Sequence, residues 1–192
     1  MTLSELYVGC RTYRRFKQDP IPDEVINAIL ENVRIASCGM NAQGLRFICA
    51  KSPETVAKIQ PYLKWAGALP REIGTPKEGE QPTAVIAVIK KKGHSPLVID
   101  IDVGIAVNVI ATTAWESGVG SCIIYSVNRN EVAKIIGVEE GDEIALVVAL
   151  GYPSHKSTIV PLPEDGSIKY YVDENRDYYV PKRALEDVAK IV

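Results

Sequence analysis

The stretch DIDVGIAVNVIATTAWESG, residues 100–118, is apolar on nearly every helical face, with small residues at Gly104, Ala106, Ala111 and Ala114 and a terminating Gly118. It predicts a buried helix packed closely by its neighbours. A chain with such an element has to wrap its remaining elements around it. The 192 residues, 46% of them hydrophobic, suffice for one well-filled domain and are few for two. The most apolar part, roughly 103–115, falls short of the ~18 residues that span a bilayer, and no charged-then-apolar leader opens the chain. No membrane partner is expected.

The other segments alternate between helix and strand patterns. Residues 3–9 read as a short helix. In DPIPDEVINAILENVRIAS, Pro22 with Asp23 and Glu24 marks a helix start, and Val25, Ile26, Ile29, Leu30 and Val33 form one apolar stripe. LRFICA reads as a strand, PETVAKIQPYL as a helix and GALPREIGTPKEGEQP as a surface loop. TAVIAVIK and EIALVVALGYP are continuous apolar runs, hence buried strands, with SCIIYS (strand) and NRNEVAKIIG (helix) between them. This order gives α+β or α/β around one sheet. The last residues, with four prolines and two Tyr-Tyr pairs, read as an arm carrying a small hairpin and a final short helix.

One segment stands out chemically. GCRTYRRFKQDPI places Arg11, Arg14, Arg15 and Lys17 together, with no acid before Asp19. Arg11, Thr12 and Arg14 lie between two helices, where guanidinium forks and a hydroxyl can converge on a phosphate. A solvated basic loop fits the same residues, and spacing alone does not decide. The net charge of −2 argues against nucleic acid as the main partner. The four cysteines, Cys10, Cys38, Cys49 and Cys122, form no CxxC pair and the two histidines are isolated, so neither a metal site nor a disulfide scaffold is expected, and a reducing cytoplasm fits. Cys38 and Cys122 read as small core or interface residues, and His94 and His155, each in polar sequence near Lys, read as solvent-exposed.

GVGSC at 118–122 lacks the third glycine of a dinucleotide loop and follows a helix, the reverse of the required context. No phosphate loop, nucleophile elbow or catalytic triad pattern occurs. A phosphate-gripping segment without acid/base pairs is what a chain needs when a bound cofactor carries the chemistry.

Four blocks in order then give a resemblance to the FMN-dependent nitroreductase family. CRTYRRFKQDPIP is similar to its opening Arg-Arg-Ser-x-Arg-x-Phe segment, and SCGMNAQGLRFI to its Asn-x-Gln block, with Gly44-Leu45 where Pro-Trp is usual. DVGIAVNVIATTAWESGVGSCII resembles its third block, and VAKIIGVEEGDEIALVVALGYP its closing one. The resemblance implies an α+β nitroreductase-like fold. Its central, mostly antiparallel sheet would be flanked by helices, with a core over 1–160 and an arm over 161–192 exchanged in a homodimer.

The resemblance also implies no catalytic side chain, because FMN carries the chemistry, with NAD(P)H as co-substrate. The reaction would be ping-pong hydride transfer to an electron-poor acceptor such as a nitroaromatic or a quinone. Arg11, Thr12 and Arg14 are similar to the FMN binders of that family. Cys38, Gly39, Met40, Asn41 and Gln43 resemble the segment that a second subunit lays against the flavin. Ile123, Ile124, Tyr125 and Ser126 resemble the strand end near flavin N5, and Lys182 and Arg183 the C-terminal basic pair. The chain departs from the pattern at Cys10, where an arginine is usual; its loss removes a contact that typically contributes ~1.5 to 3 kcal/mol. A flavin- or nucleotide-binding protein without turnover, another reduction (enone, dehalogenation) and a protein electron donor stay open at this point.

Overall fold

The computed structural model describes residues 2–192. In chain order its elements are α1 (Leu3–Gly9), α2 (Asp23–Ile35), β1 (Leu45–Ala50), α3 (Pro53–Ile59), α4 (Arg71–Gly74), β2 (Ala84–Lys90), α5 (Pro96–Glu116), β3 (Gly120–Ile124), α6 (Arg129–Ile136), β4 (Glu143–Gly151), β5 (Ser157–Pro161), β6 (Tyr171–Val172) and β7 (Tyr178–Lys182). Single 3₁₀ turns occur at Gly39–Asn41, Gln60–Tyr62 and Leu185–Asp187. The expected surface loop before β2 thus carries one helical turn, α4, started by Pro70. The final short helix is that last 3₁₀ turn.

The main sheet has the order β1-β2-β4-β3, and every pairing in it is antiparallel, as expected. β2 and β4 lie in its centre with both faces covered, which is why their sequences are apolar without interruption. Their alternate residues divide between two cores. Val85, Ala87, Val147 and Ala149 face α3 and α6; Ile86, Val88, Val148 and Leu150 face α2 and α5. The alternation breaks at Ala145 and Leu146, which both face α5, because the β2–β4 register shifts between Val88 and Ile89. α2 buries Ile26, Ile29 and Val33 as its stripe dictated, and α6 begins on an Asn128 cap and stops at Gly137 in the left-handed conformation (φ 71°).

α5 departs from its sequence reading in two ways. It runs for 21 residues from Pro96, and a window of mean hydropathy 1.8 makes it long and apolar enough to cross a membrane, which the shorter 103–115 reading denied. Its packing is that of a core helix: Val103, Ala106, Ile110 and Ala114 are buried against the sheet and α2, and Asp102 is buried with them. Nor is it enclosed on all sides. Leu97, Ile101, Gly104 and Asn108 form an exposed stripe, and Leu97 is 74% accessible. Among the described residues, nothing covers this stripe, in which Gly104 carries no side chain.

The C-terminal segment forms a second sheet, with β5 parallel to β7 and β6 antiparallel to β7. Through Lys182 it is folded onto its own chain; beyond that, Leu185, Val188, Ile191 and Val192 are exposed.

Candidate functional site

The cationic segment leaves α1 and runs extended over the end of the main sheet. The Tyr13 N–H donates to the Ser121 carbonyl (2.9 Å), Phe16 N–H to Glu80 (3.0 Å) and Lys17 N–H to Tyr152 (2.7 Å). Tyr13 and Phe16 turn inward and are buried at 5% and 1% exposure. Two glycines of the sheet make this approach possible. A Cβ on Gly151 would lie 2.8 Å from that of Phe16, and one on Gly120 would lie 2.8 Å from the Tyr13 ring.

With those rings facing in, Arg11, Thr12 and Arg14 rim a pocket of about 460 Å³, closed by Tyr7, Asn108, Ser121, Ile123, Tyr170 and Lys182. Three cations and no carboxylate line it. Among the described residues, Arg11 Nε and Arg14 Nε are buried without a hydrogen-bond partner. Arg11 Nη2 donates to the Tyr7 carbonyl at 2.6 Å, and Asn108 Nδ2 reaches the Tyr7 hydroxyl at 3.4 Å. Cys10 lines the same pocket, and burial raises its thiol pKa although Arg11 opposes the shift, so it stays a neutral thiol where an arginine was usual.

One sequence expectation near this pocket is corrected. His155 is not solvent-exposed: it is 8% accessible, its Nε2 accepts the Arg14 N–H at 3.0 Å, and its Nδ1 lies 2.8 Å from the Lys156 carbonyl. Burial, with Arg15 and Arg14 nearby, pushes its pKa down to about 4. Sequence neighbours misled here because the burying rings, Tyr13 and Tyr178, come from distant parts of the chain (centroids at 5.4 and 4.8 Å). Arg15 does not line this pocket. It donates to the carbonyls of Asn175 and Arg176 (3.3 and 2.7 Å) and faces Glu80, which Arg176 grips at 2.9 Å.

The remaining candidates are divided between this pocket and other parts of the surface. Ile123 faces the cationic pocket, Ile124 points into the core and can offer only backbone, and Tyr125 and Ser126 line a separate cleft with Lys64 and Arg129. Lys182 lines the cationic pocket, and Arg183 follows it on the surface. Cys38, Asn41 and Gln43 border a third cleft beside Arg34, Asp102 and Ala106. That loop is held by the Gly39 N–H, which donates to Asp102 Oδ1 at 2.7 Å. Met40, Asn41 and Gln43 all adopt positive φ (55°, 53° and 49°), and Met40 is 92% exposed. Sequence reasoning missed Tyr7, Asn108, Tyr170 and Asp102; Asp102, an acid inside an apolar helix, was the one detectable signal.

A four-stranded antiparallel sheet between two helical layers, with an acid-free cationic pocket at its edge, defines an α+β protein whose pocket is electrostatically complementary to an anion. Residues 9–152 match the family model described as Nitroreductase family, and the chain belongs to that family. The fold is similar to that of a nitroreductase family protein from Clostridium difficile 630 (21% identity, TM-score 0.65, covering 80% of this chain and 86% of that one). It is also similar to an NADPH:FMN oxidoreductase from Vibrio harveyi solved with NAD+ (18% identity, TM-score 0.67, 84% and 74% covered). A Burkholderia lata protein bearing the name NADH dehydrogenase/NAD(P)H nitroreductase is 27% identical over 74 residues, a match spanning 38% of this chain and 37% of that relative.

Proposed function

We propose that the protein is an FMN-dependent oxidoreductase that works by ping-pong hydride transfer, taking hydride from NAD(P)H and passing it to an electron-poor acceptor of the nitroaromatic or quinone type. The observation that carries this reading is the pocket itself: three cations, no acid, two buried guanidinium Nε groups without partners, and a volume within the ~300–1,000 Å³ of small-molecule sites. Arg11, Thr12 and Lys182 would hold the phosphate and ribityl chain, and Arg14 would face the ring system. FMN, when bound, supplies the hydride chemistry, which accounts for the absence of an acid/base pair in the pocket. The neutral Cys10 leaves the phosphate to the remaining cations.

The reading includes a homodimer. The exposed Leu97–Ile101–Gly104 stripe of α5 supports it, as does the protruding 38–43 loop, which a second copy would lay against the pocket. β7 pairs with β5, so we take 161–192 as an arm of the same domain and place any exchange between subunits after Lys182. With all four cysteines free, the cytoplasm is the proposed compartment.

The test is a titration of the purified protein with FMN followed by anaerobic addition of NADH or NADPH. Bound flavin that bleaches is expected; protein that takes up no FMN refutes the reading. Arg14→Ala should weaken FMN binding by about 1.5 to 3 kcal/mol, roughly ten- to hundredfold. Arg15→Ala, whose partners are Glu80 and the 175–176 carbonyls, should lower stability instead. Equal losses of FMN in the two variants would reverse the assignment.

A further inference from the structure

Arg14 is held at both ends. Its backbone N–H donates to His155, and its guanidinium carbon lies 4.7 Å from the ring centroid of Tyr170 and 4.9 Å from that of Tyr178. The two rings stand 6.0 Å apart at 38° and form one aromatic corner. Tyr178 is fixed by burial and by contact with His155. Tyr170 is only half-buried, and the Ala68 N–H reaches its phenol oxygen at 3.4 Å. A guanidinium is flat and weakly hydrated, so aromatic faces restrict it without consuming its N–H donors. Its unpartnered Nε is consistent with donors left for a ligand.

The geometry points to Tyr170 as a positioning residue: it presses the Arg14 charge against the pocket ligand and so sets the reduction potential of a flavin bound there. This rests on the FMN reading above. A fixed cation in a partly desolvated pocket favours the more negative, reduced form, whereas a guanidinium free to swing into solvent is screened and favours neither form strongly. The aromatic corner should therefore matter more for reduced than for oxidised FMN. That preference is what separates positioning from simple binding. Tyr170 also shows why a C-terminal segment distant in sequence packs over the cationic segment.

The experiment measures the midpoint potential of bound FMN at pH 7 by spectroelectrochemistry, and oxidised-FMN affinity by fluorescence quenching, in the full chain. Tyr170→Leu should lower the ratio of reduced to oxidised affinity about tenfold, which for a two-electron couple is about 30 mV. Tyr170→Phe, which keeps the ring face, should retain the wild-type potential and also reports whether position 170 tolerates change. In an Arg14→Gln background, Tyr170→Leu should shift nothing further. An unshifted potential in Tyr170→Leu, or an equal shift in both backgrounds, overturns the proposal while leaving the FMN reading intact. Wild-type protein that binds no FMN overturns both.

Discussion

The segment 10–16 and the loop 38–43 carry most of the candidate ligands, and they are built in opposite ways. The first is backed by the core: Tyr13 and Phe16 are buried, the backbone is bonded to β3 and to Glu80, and His155, Tyr170 and Tyr178 cover it from the other side. The second stands out from the surface, with three non-glycine residues at positive φ and a hydrogen bond from Gly39 to Asp102 at its root. A pocket wall that must keep charges in place needs many supports. A loop that, as proposed, meets a second copy needs only an anchor, and strain of this kind is tolerated where function requires it.

The largest effect expected on this contrast comes from the backed half. Phe16→Ala removes a ring that is 1% exposed and sits against Gly151. It should cost about 3 to 5 kcal/mol of stability, read from urea unfolding. A loss under 1 kcal/mol would mean the cationic segment is as loosely attached as the loop.

Next in size is a dependence on pH. His155 has an ordinary pKa of 6.5 and is pushed down to about 4 in the fold, first by burial and then by Arg15 and Arg14, against its bond to the Lys156 carbonyl and the nearby Asp177. A depressed folded pKa means that the neutral form is the folded one. Its contribution is complete above pH 6.5 and is lost as the pH falls from there through about 4, by about 3 kcal/mol in all. Although burial works to raise it, Glu80 is held below its ordinary 4.5 by the Lys77 N–H and Arg176. Unfolding at pH 7 and pH 4.5 should therefore differ in wild-type protein and much less in His155→Gln, whereas parallel losses would deny the histidine this role.

How much of this was legible in the sequence follows the range of the forces involved. α2, α6 and the central strands were readable because their caps and apolar periods are local, and the cationic segment because its residue types are unusual. His155 was misread because its environment is assembled from Tyr13 and Tyr178, and the partners of Arg15, Glu80 and residues 175–176, lie up to 161 positions away. The open face of α5 was unreadable for a related reason. Apolarity on all sides says that a helix wants burial, but not whether its own chain provides it. Tyr170 lay in a segment legible only as an arm, since nothing local to a Tyr-Tyr pair announces an arginine partner.

The smallest effect expected is on the loop, and it tests the contrast most directly. Asp102 is 3% exposed and its carboxyl oxygen takes the Gly39 N–H at the point where the 3₁₀ turn begins. Asp102→Ala leaves that N–H without its partner, at a cost of about 1 to 3 kcal/mol. Gly39 packs so close to Val98 that an added Cβ would collide with the valine side chain, which keeps the root of the loop against α5. Much of the cost should therefore appear as opening of residues 38–43, whose positive φ angles favour release once the anchor is gone. Hydrogen exchange should accelerate across 38–43 in the variant and stay unchanged across 10–16. Acceleration in both would show one cooperative unit, transmitted by α5, which carries Asp102 at one segment and stacks Trp115 on Tyr13 at the other.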